Sequence, residues 1–159
     1  MKKDIFIDTN IAKNFNYPMD IEYKRLVKWL MKNDLEKPDL ENDAWLVISK
    51  KLEVEYNRSN LHPKSSTAMP LIIFKLQREE RLNYISNQQI KDFKDLHFTK
   101  KVESKLLSNK EDREHIPVVL LSDRRMVLSI DDNFLEDILK FPKFTVVAAK
   151  RPEKLNYAD

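Results

Sequence analysis

Short apolar runs recur along this chain, and each has the length of a buried strand. They cover residues 4–7, 45–48, 126–129 and 145–149. A strand that is buried on both faces of a parallel sheet has a continuous apolar sequence rather than an alternating one. The segments between these runs carry apolar residues at helical spacing. This order predicts an α/β fold with a parallel central sheet flanked by helices on both faces.

The predicted helices cover residues 20–32, 50–59, 71–82, 88–96, 101–107, 111–121 and 133–139. Asp20, Ser49 and Asn109 stand where helix N-caps are expected. Pro117 lies inside a predicted helix and should kink it or move its start later. A polar loop is expected at 60–67. The chain is therefore predicted to form one domain over 1–159 with an expanded helical middle segment at about 65–108.

The composition excludes several classes of protein. The chain has no cysteine, which excludes disulfides, zinc–thiolate sites and cysteine nucleophiles. It also has no glycine, so a Walker-type phosphate loop and a dinucleotide-binding fingerprint are excluded. Any phosphate must be bound by side chains or through a metal. No apolar stretch reaches the length of a secretory signal or a membrane span, which predicts a soluble, cytoplasmic protein without a membrane partner.

Acidic residues stand at corresponding places after successive apolar runs. Asp8 ends the first run, and Asp131 follows the third. The carboxyl ends of parallel strands share one edge, where ligands bind in open α/β sheets. Glu55 in the helix after the second run and Asp112 in the first turn of a later helix are expected at the same edge. Taken singly, each acid also fits a capping or solvated position.

Clustered carboxylates raise one another's pKa unless a cation is present. Hard divalent ions with oxygen ligands, Mg²⁺ or Mn²⁺, suit such a cluster. A metal held in this way can lower the pKa of a bound water and clamp a phosphate. The acid pattern therefore predicts a metal-dependent phosphate chemistry.

Four motifs occur in order along the chain. They are Ile5-Phe6-Ile7-Asp8-Thr9-Asn10, Val47-Ile48-Ser49 followed by Glu55-Tyr56, Asp112 with His115-Ile116, and Ser129-Ile130-Asp131-Asp132-Asn133-Phe134. Together with the ending Val146-Val147 to Pro152-Glu153, this combination resembles the PIN-domain family of metal-dependent nucleases over nearly the whole chain. The sequence departs from the family at Val118, Val119 and Leu120, where small residues are usual, and over 60–109, which has no clear family counterpart.

The resemblance implies a PIN-like α/β/α sandwich and an endoribonuclease that hydrolyses single-stranded RNA. One or two Mg²⁺ or Mn²⁺ ions would be bound by four catalytic acids, Asp8, Glu55, Asp112 and Asp131. Asn10 and Ser129 would orient these acids or the metal's waters. Asp132 is a further ligand or, by preference, a helix cap. Glu111 and Glu114 compete with Asp112 for the third position, and His115 either supports the site or lies on its helix surface.

The resemblance also implies contacts with RNA and with proteins. Residues 75–110 hold nine basic against five acidic side chains, and 140–154 hold five against one. Basic segments of this kind bind phosphates with an affinity that falls as the salt concentration rises. Arg58, Lys150 and Arg151 are the predicted nucleic-acid contacts, while Tyr56 is expected to stack on a base or, by preference, to lie in the core. An antitoxin protein and a second copy of the chain are candidate partners, and single-stranded DNA is an alternative substrate.

Two other functions fit parts of the sequence. A phosphatase or phosphotransferase with Asp8 as nucleophile would explain the opening motif and Asp131-Asp132. It would need a second acid where the chain has Asn10, and its late motif lacks the usual glycine. The other alternative is a nucleic-acid binding module that keeps the fold and the basic faces but has no catalytic activity.

Overall fold

A five-stranded parallel sheet forms the centre of the computed structural model. The structure describes residues 1–16, 19–32, 37–39, 41–59 and 69–159. The strands are β1 Lys3–Ile7, β2 Ala44–Ile48, β3 Leu82–Tyr84, β4 Met126–Leu128 and β5 Val147–Ala149. Their spatial order is β3-β2-β1-β4-β5. The predicted α/β fold with a parallel sheet is confirmed.

Helices surround this sheet. They are α1 Thr9–Ala12, α2 Ile21–Met31, α3 Lys50–Ser59, α4 Met69–Arg78, α5 Asn87–His97, α6 Lys100–Glu103, α7 Lys110–Arg113, α8 His115–Leu121 and α9 Asp132–Lys140. Short 3₁₀ turns lie at Lys13–Asn16 and Pro152–Lys154. The predicted caps are confirmed, because side-chain oxygens of Asp20, Ser49 and Asn109 accept backbone N–H bonds in the first turns of their helices. Within the described residues, every helix is too short or too polar to cross a lipid bilayer.

The two central strands lie between layers of helices. Every residue of β2 is buried, and so are the last four residues of β1. Because successive side chains of a strand point to opposite faces, burial of consecutive residues requires cover on both faces. Phe6 and Ile7 of β1 pair with Val127 and Leu128 of β4. The two strands therefore end at the same level, and the residues after them meet at one edge.

The middle of the chain differs from the sequence prediction. The helix predicted over 71–82 ends at Arg78, and Glu80 takes a left-handed conformation with φ of 56°. The chain then forms β3 beside β2. The strand was missed because it is only three residues long and its buried residue is the polar Asn83. The loop predicted at 60–67 lies outside the described residues.

The helix predicted over 111–121 is divided into α7 and α8. The second helix begins at His115, which places Pro117 in its first turn. Proline is tolerated there because the first N–H groups of a helix have no partner within it. The expectation that Pro117 moves the start of the helix is confirmed, and the break lets α7 lie at the edge of the sheet.

Candidate active site

Asp8 lies directly after β1, and its carboxylate is fixed by neighbours from two strands. Oδ1 accepts a hydrogen bond from the Thr9 backbone N–H at 2.8 Å, which caps α1. Oδ2 accepts from the Ser129 hydroxyl at 2.7 Å and from the Asn10 side-chain amide at 3.2 Å. Ser129 and Asn10 thus contact the acid that they were predicted to orient.

Ser129 also connects Asp8 to Asp131. The Asp131 backbone N–H donates to Ser129 Oγ at 3.1 Å, and Asp131 Oδ1 accepts from Phe134 N–H at 3.2 Å. Asp131 is therefore the cap of α9, so the preference for Asp132 as a helix cap is wrong. Asp132 is 80% exposed and forms an ion pair of 2.5 Å with Lys150.

Asp112 is electrostatically coupled to the same group of acids. Burial raises the pKa of Asp112 above its ordinary value of 3.8, and the negative charges of Asp131, Asp8 and, more weakly, Glu55 raise it further. His115 acts in the opposite direction. Because Coulomb interactions weaken with distance and solvent screening, these effects indicate that Asp131, Asp8 and Glu55 lie on the same side of the molecule as Asp112.

The two rivals of Asp112 for the third position contact cations on other helices. Glu111 Oε2 lies 2.5 Å from Lys51 Nζ on α3, and this pair lowers the pKa of Glu111. Glu114 forms an ion pair with Lys94 on α5. The structure thus favours Asp112 among the three candidates and assigns the other two acids to ion pairs that hold α7.

Glu55 forms a contact that sequence reasoning did not find. Its Oε2 lies 2.8 Å from His115 Nε2, and the His115 side chain is only 4% exposed. The alternative that His115 lies on a helix surface is therefore wrong. A carboxylate can only accept a hydrogen bond, so Nε2 carries the proton. Within the described residues Nδ1 has no hydrogen-bond partner. The only sequence signal was the spacing of His115 three residues after Asp112.

Tyr56 joins the helix that carries Glu55 to the strand that carries Asp8. Its fully buried hydroxyl donates to the carbonyl of Ile7. Burial raises the pKa of Tyr56 well above its usual range, and the charges of Asp8 and Glu55 add to this effect. The preferred position of Tyr56 in the core is confirmed, and its hydroxyl fixes α3 against the end of β1.

The site fits a hydrated divalent cation by its chemistry. Among the described residues, no group of three or more His, Asp or Glu side chains lies close enough together to hold a metal ion by itself. Mg²⁺, however, keeps several of its waters and needs only one or two carboxylates. Burial raises the pKa of Asp112, the charges of Asp131 and Asp8 add to this effect, and a bound cation would offset the contribution of those charges. The predicted ligands of such an ion are Asp8, Asp131, Asp112 and Glu55, of which one or two would contact it directly.

The three predicted nucleic-acid contacts have different surroundings. Arg151 forms ion pairs with Asp20 at 2.7 Å and Glu153 at 3.0 Å, and Lys150 pairs with Asp132. Arg58 is exposed and lines a groove of about 450 Å³ that includes Glu55. Of the three, Arg58 therefore lies beside the candidate site.

Comparisons with protein-family models, with curated proteins and with solved structures found no significant match.

We expect Asp112→Asn to raise the melting temperature of the metal-free protein at neutral pH. The pKa of Asp112 is higher in the folded than in the unfolded chain, so its charged form destabilises the fold. This cost decreases as the pH falls through the raised pKa, because the folded wild type then takes up a proton. Thermal unfolding should show a difference between variant and wild type that shrinks from pH 7 towards about pH 4.

Glu111→Gln is the matched control for this prediction. The ion pair with Lys51 lowers the pKa of Glu111, so removing that charge should not raise the melting temperature. An equal gain in both variants would show that the effect is not specific to the position of Asp112.

Proposed function

We propose that this protein is a divalent-metal-dependent nuclease of the PIN type that hydrolyses phosphodiester bonds of single-stranded RNA. The observation that carries the proposal is the Ser129 hydroxyl, which donates to Asp8 Oδ2 and accepts from the Asp131 backbone N–H, so that two acids far apart in the sequence meet at one point. The effect of Asp131, Asp8 and Glu55 on the pKa of Asp112 supports it. Helix caps and solvated acids explain each residue alone, but they do not explain why three other predicted acids act on Asp112. A site for a cation that binds phosphate explains it.

Different side chains supply different parts of the proposed hydrolysis. When bound, a divalent cation would lower the pKa of a water and neutralise charge on the phosphate. The Ser129 hydroxyl fixes the carboxylate of Asp8, and the Phe134 N–H at the start of α9 fixes the carboxylate of Asp131. Both acids therefore present oxygens in defined positions. His115 holds Glu55 through Oε2, which leaves Oε1 to accept the proton of the attacking water. The water oxygen bonds to phosphorus, the bond to the leaving sugar oxygen breaks, and that oxygen takes a proton from solvent.

Metal removal tests the proposal directly. The purified chain is incubated with end-labelled single-stranded RNA, and separately with single-stranded DNA, in Mn²⁺ or in excess EDTA. We expect RNA cleavage in Mn²⁺ and at least about a hundredfold less in EDTA, since the metal contributes several kcal/mol to such reactions. Cleavage of equal rate in EDTA would refute the proposal, and preferred cleavage of DNA would correct the substrate.

The alternatives have weaker support. The phosphatase needs a second acid at position 10, and there Asn10 donates a hydrogen bond to Asp8 and accepts one from the Ile130 N–H. RNA binding without cleavage would favour the non-catalytic module instead. An antitoxin partner and a homodimer remain predictions from the resemblance, and a cytoplasmic location remains a prediction from the lengths of the apolar stretches.

A further inference from the structure

A polar groove leads away from Glu55 between α3 and α5. It consists of two adjoining cavities of about 450 and 320 Å³ that share Lys51 and Asn87. Glu55 lines the first cavity, so the groove opens at the candidate active site. Its basic side chains are Lys50, Lys51, Arg58, Lys91 and Lys94.

These five cations fall into two groups. Lys51 and Lys94 are paired with Glu111 and Glu114, the acids on either side of Asp112. Lys50, Arg58 and Lys91 are exposed, and within the described residues they take part in no ion pair. The groove thus combines three exposed positive charges with two that are already held by carboxylates, and its lining also includes the acids Glu55 and Asp95.

A strand of nucleic acid is the ligand that this arrangement suits. A row of lysine and arginine side chains binds the phosphates of a backbone without reading its sequence. The basic C-terminal segment is less suited, because Lys150 and Arg151 are engaged by Asp132, Asp20 and Glu153. A phosphate entering the groove meets the same two lysines that Glu111 and Glu114 hold, so carboxylate and phosphate compete for them.

We propose that this groove binds the backbone of the single strand that is cleaved, and that Glu111 and Glu114 compete with its phosphates for Lys51 and Lys94. This inference rests on the proposed function, since it names where the substrate lies. Glu111 and Glu114 therefore weaken RNA binding, while their ion pairs with Lys51 and Lys94 fix the position of α7, the helix that carries Asp112.

The test measures binding without hydrolysis. A fluorescent single-stranded RNA of twelve uridines is titrated with the wild-type chain in EDTA at several salt concentrations, and anisotropy is recorded. Lys50→Ala/Lys91→Ala should weaken binding about tenfold and reduce the slope of log K against log salt by about 1.4, or about 0.7 for each phosphate that the variant no longer neutralises. The matched control is Lys24→Ala/Lys28→Ala, which removes two exposed lysines of α2 and should leave binding unchanged.

The competing acids are tested in the same assay. Glu111→Gln/Glu114→Gln should tighten RNA binding about threefold, because two charges that repel phosphate are removed. Unchanged or weaker binding in this variant would overturn the competition. Three results would overturn the proposal that the groove binds RNA. They are an equal loss of affinity in the groove and α2 variants, a larger loss of affinity in Lys150→Ala/Arg151→Ala, and no RNA binding by the wild type.

Failure of this inference and failure of the proposed function can be told apart. RNA cleavage in Mn²⁺ with no effect of the groove lysines on binding would refute the groove and leave the nuclease intact. Binding that depends on the groove, without cleavage in Mn²⁺, would refute the nuclease and leave the groove as a binding site.

Discussion

The Asp8→Asn variant is expected to lose about a thousandfold or more of its Mn²⁺-dependent RNA cleavage. The substitution changes one oxygen into an amide nitrogen, and it removes a negative charge from the centre of the site. A divalent cation loses a ligand whose position is fixed by Ser129 and Asn10. End-labelled RNA in a single-turnover assay measures the decrease in rate.

The fold should survive this change. Asp8 caps α1 through the Thr9 N–H, and asparagine caps helices as well as aspartate does. The same reasoning applies to Asp131→Asn at the cap of α9. A decrease of activity in either variant therefore reports the charge rather than the helix, which circular dichroism and thermal unfolding can verify.

Asp92→Asn is the matched control. Asp92 is an exposed residue of α5 whose carboxylate accepts a hydrogen bond from Gln88, and it lies outside the candidate site and the groove. This variant should cleave RNA at the wild-type rate. If Asp8→Asn and Asp92→Asn are equally active, the carboxylate site is not the catalyst.

Local sequence patterns predicted the part of the site that is built from strand ends. An apolar run followed by Asp8 indicates where β1 ends, and Ser129 with Asp131 indicates the same for β4. Parallel strands with matched ends must place these residues together. Asp112 followed from the same rule, since a helix that runs back along the sheet begins at that edge.

Local sequence patterns could not predict the contacts between segments that are far apart in the sequence. His115 holds Glu55 across 60 positions of the chain, and Asn83 donates to the buried carboxylate of Asp4 across 79. Nothing near His115 or Asp4 indicates these partners, because each contact depends on how whole elements pack. The strand β3, with the buried Asn83, was missed for the same reason.

Arg81 is a large buried side chain whose burial no local sequence pattern indicates. It is 1% exposed, and Nη1 donates to the carbonyls of Leu30 and Ala44, each at 2.8 Å. Its Nη2 lies 2.5 Å from Glu79, whose side chain is 7% exposed. The carbonyl of Leu30 belongs to the last turn of α2, where helix carbonyls lack partners within the helix. Arg81 thus connects the end of α2, the start of β2 and the turn after α4.

Arg81→Met is expected to lower the free energy of unfolding by about 3–5 kcal/mol, because the carbonyls of Leu30 and Ala44 lose hydrogen bonds from a charged donor, each worth about 1.5–3 kcal/mol. Methionine retains much of the volume, so the loss reports these hydrogen bonds and the ion pair with Glu79, which keeps Lys75 as a second partner, rather than a cavity. Urea unfolding measures it. Arg78→Met is the control, since Arg78 is exposed on α4 beside Phe74 and should change stability by about 0.5 kcal/mol or less. Equal stability of the two variants would mean that the buried guanidinium contributes no more than a surface one.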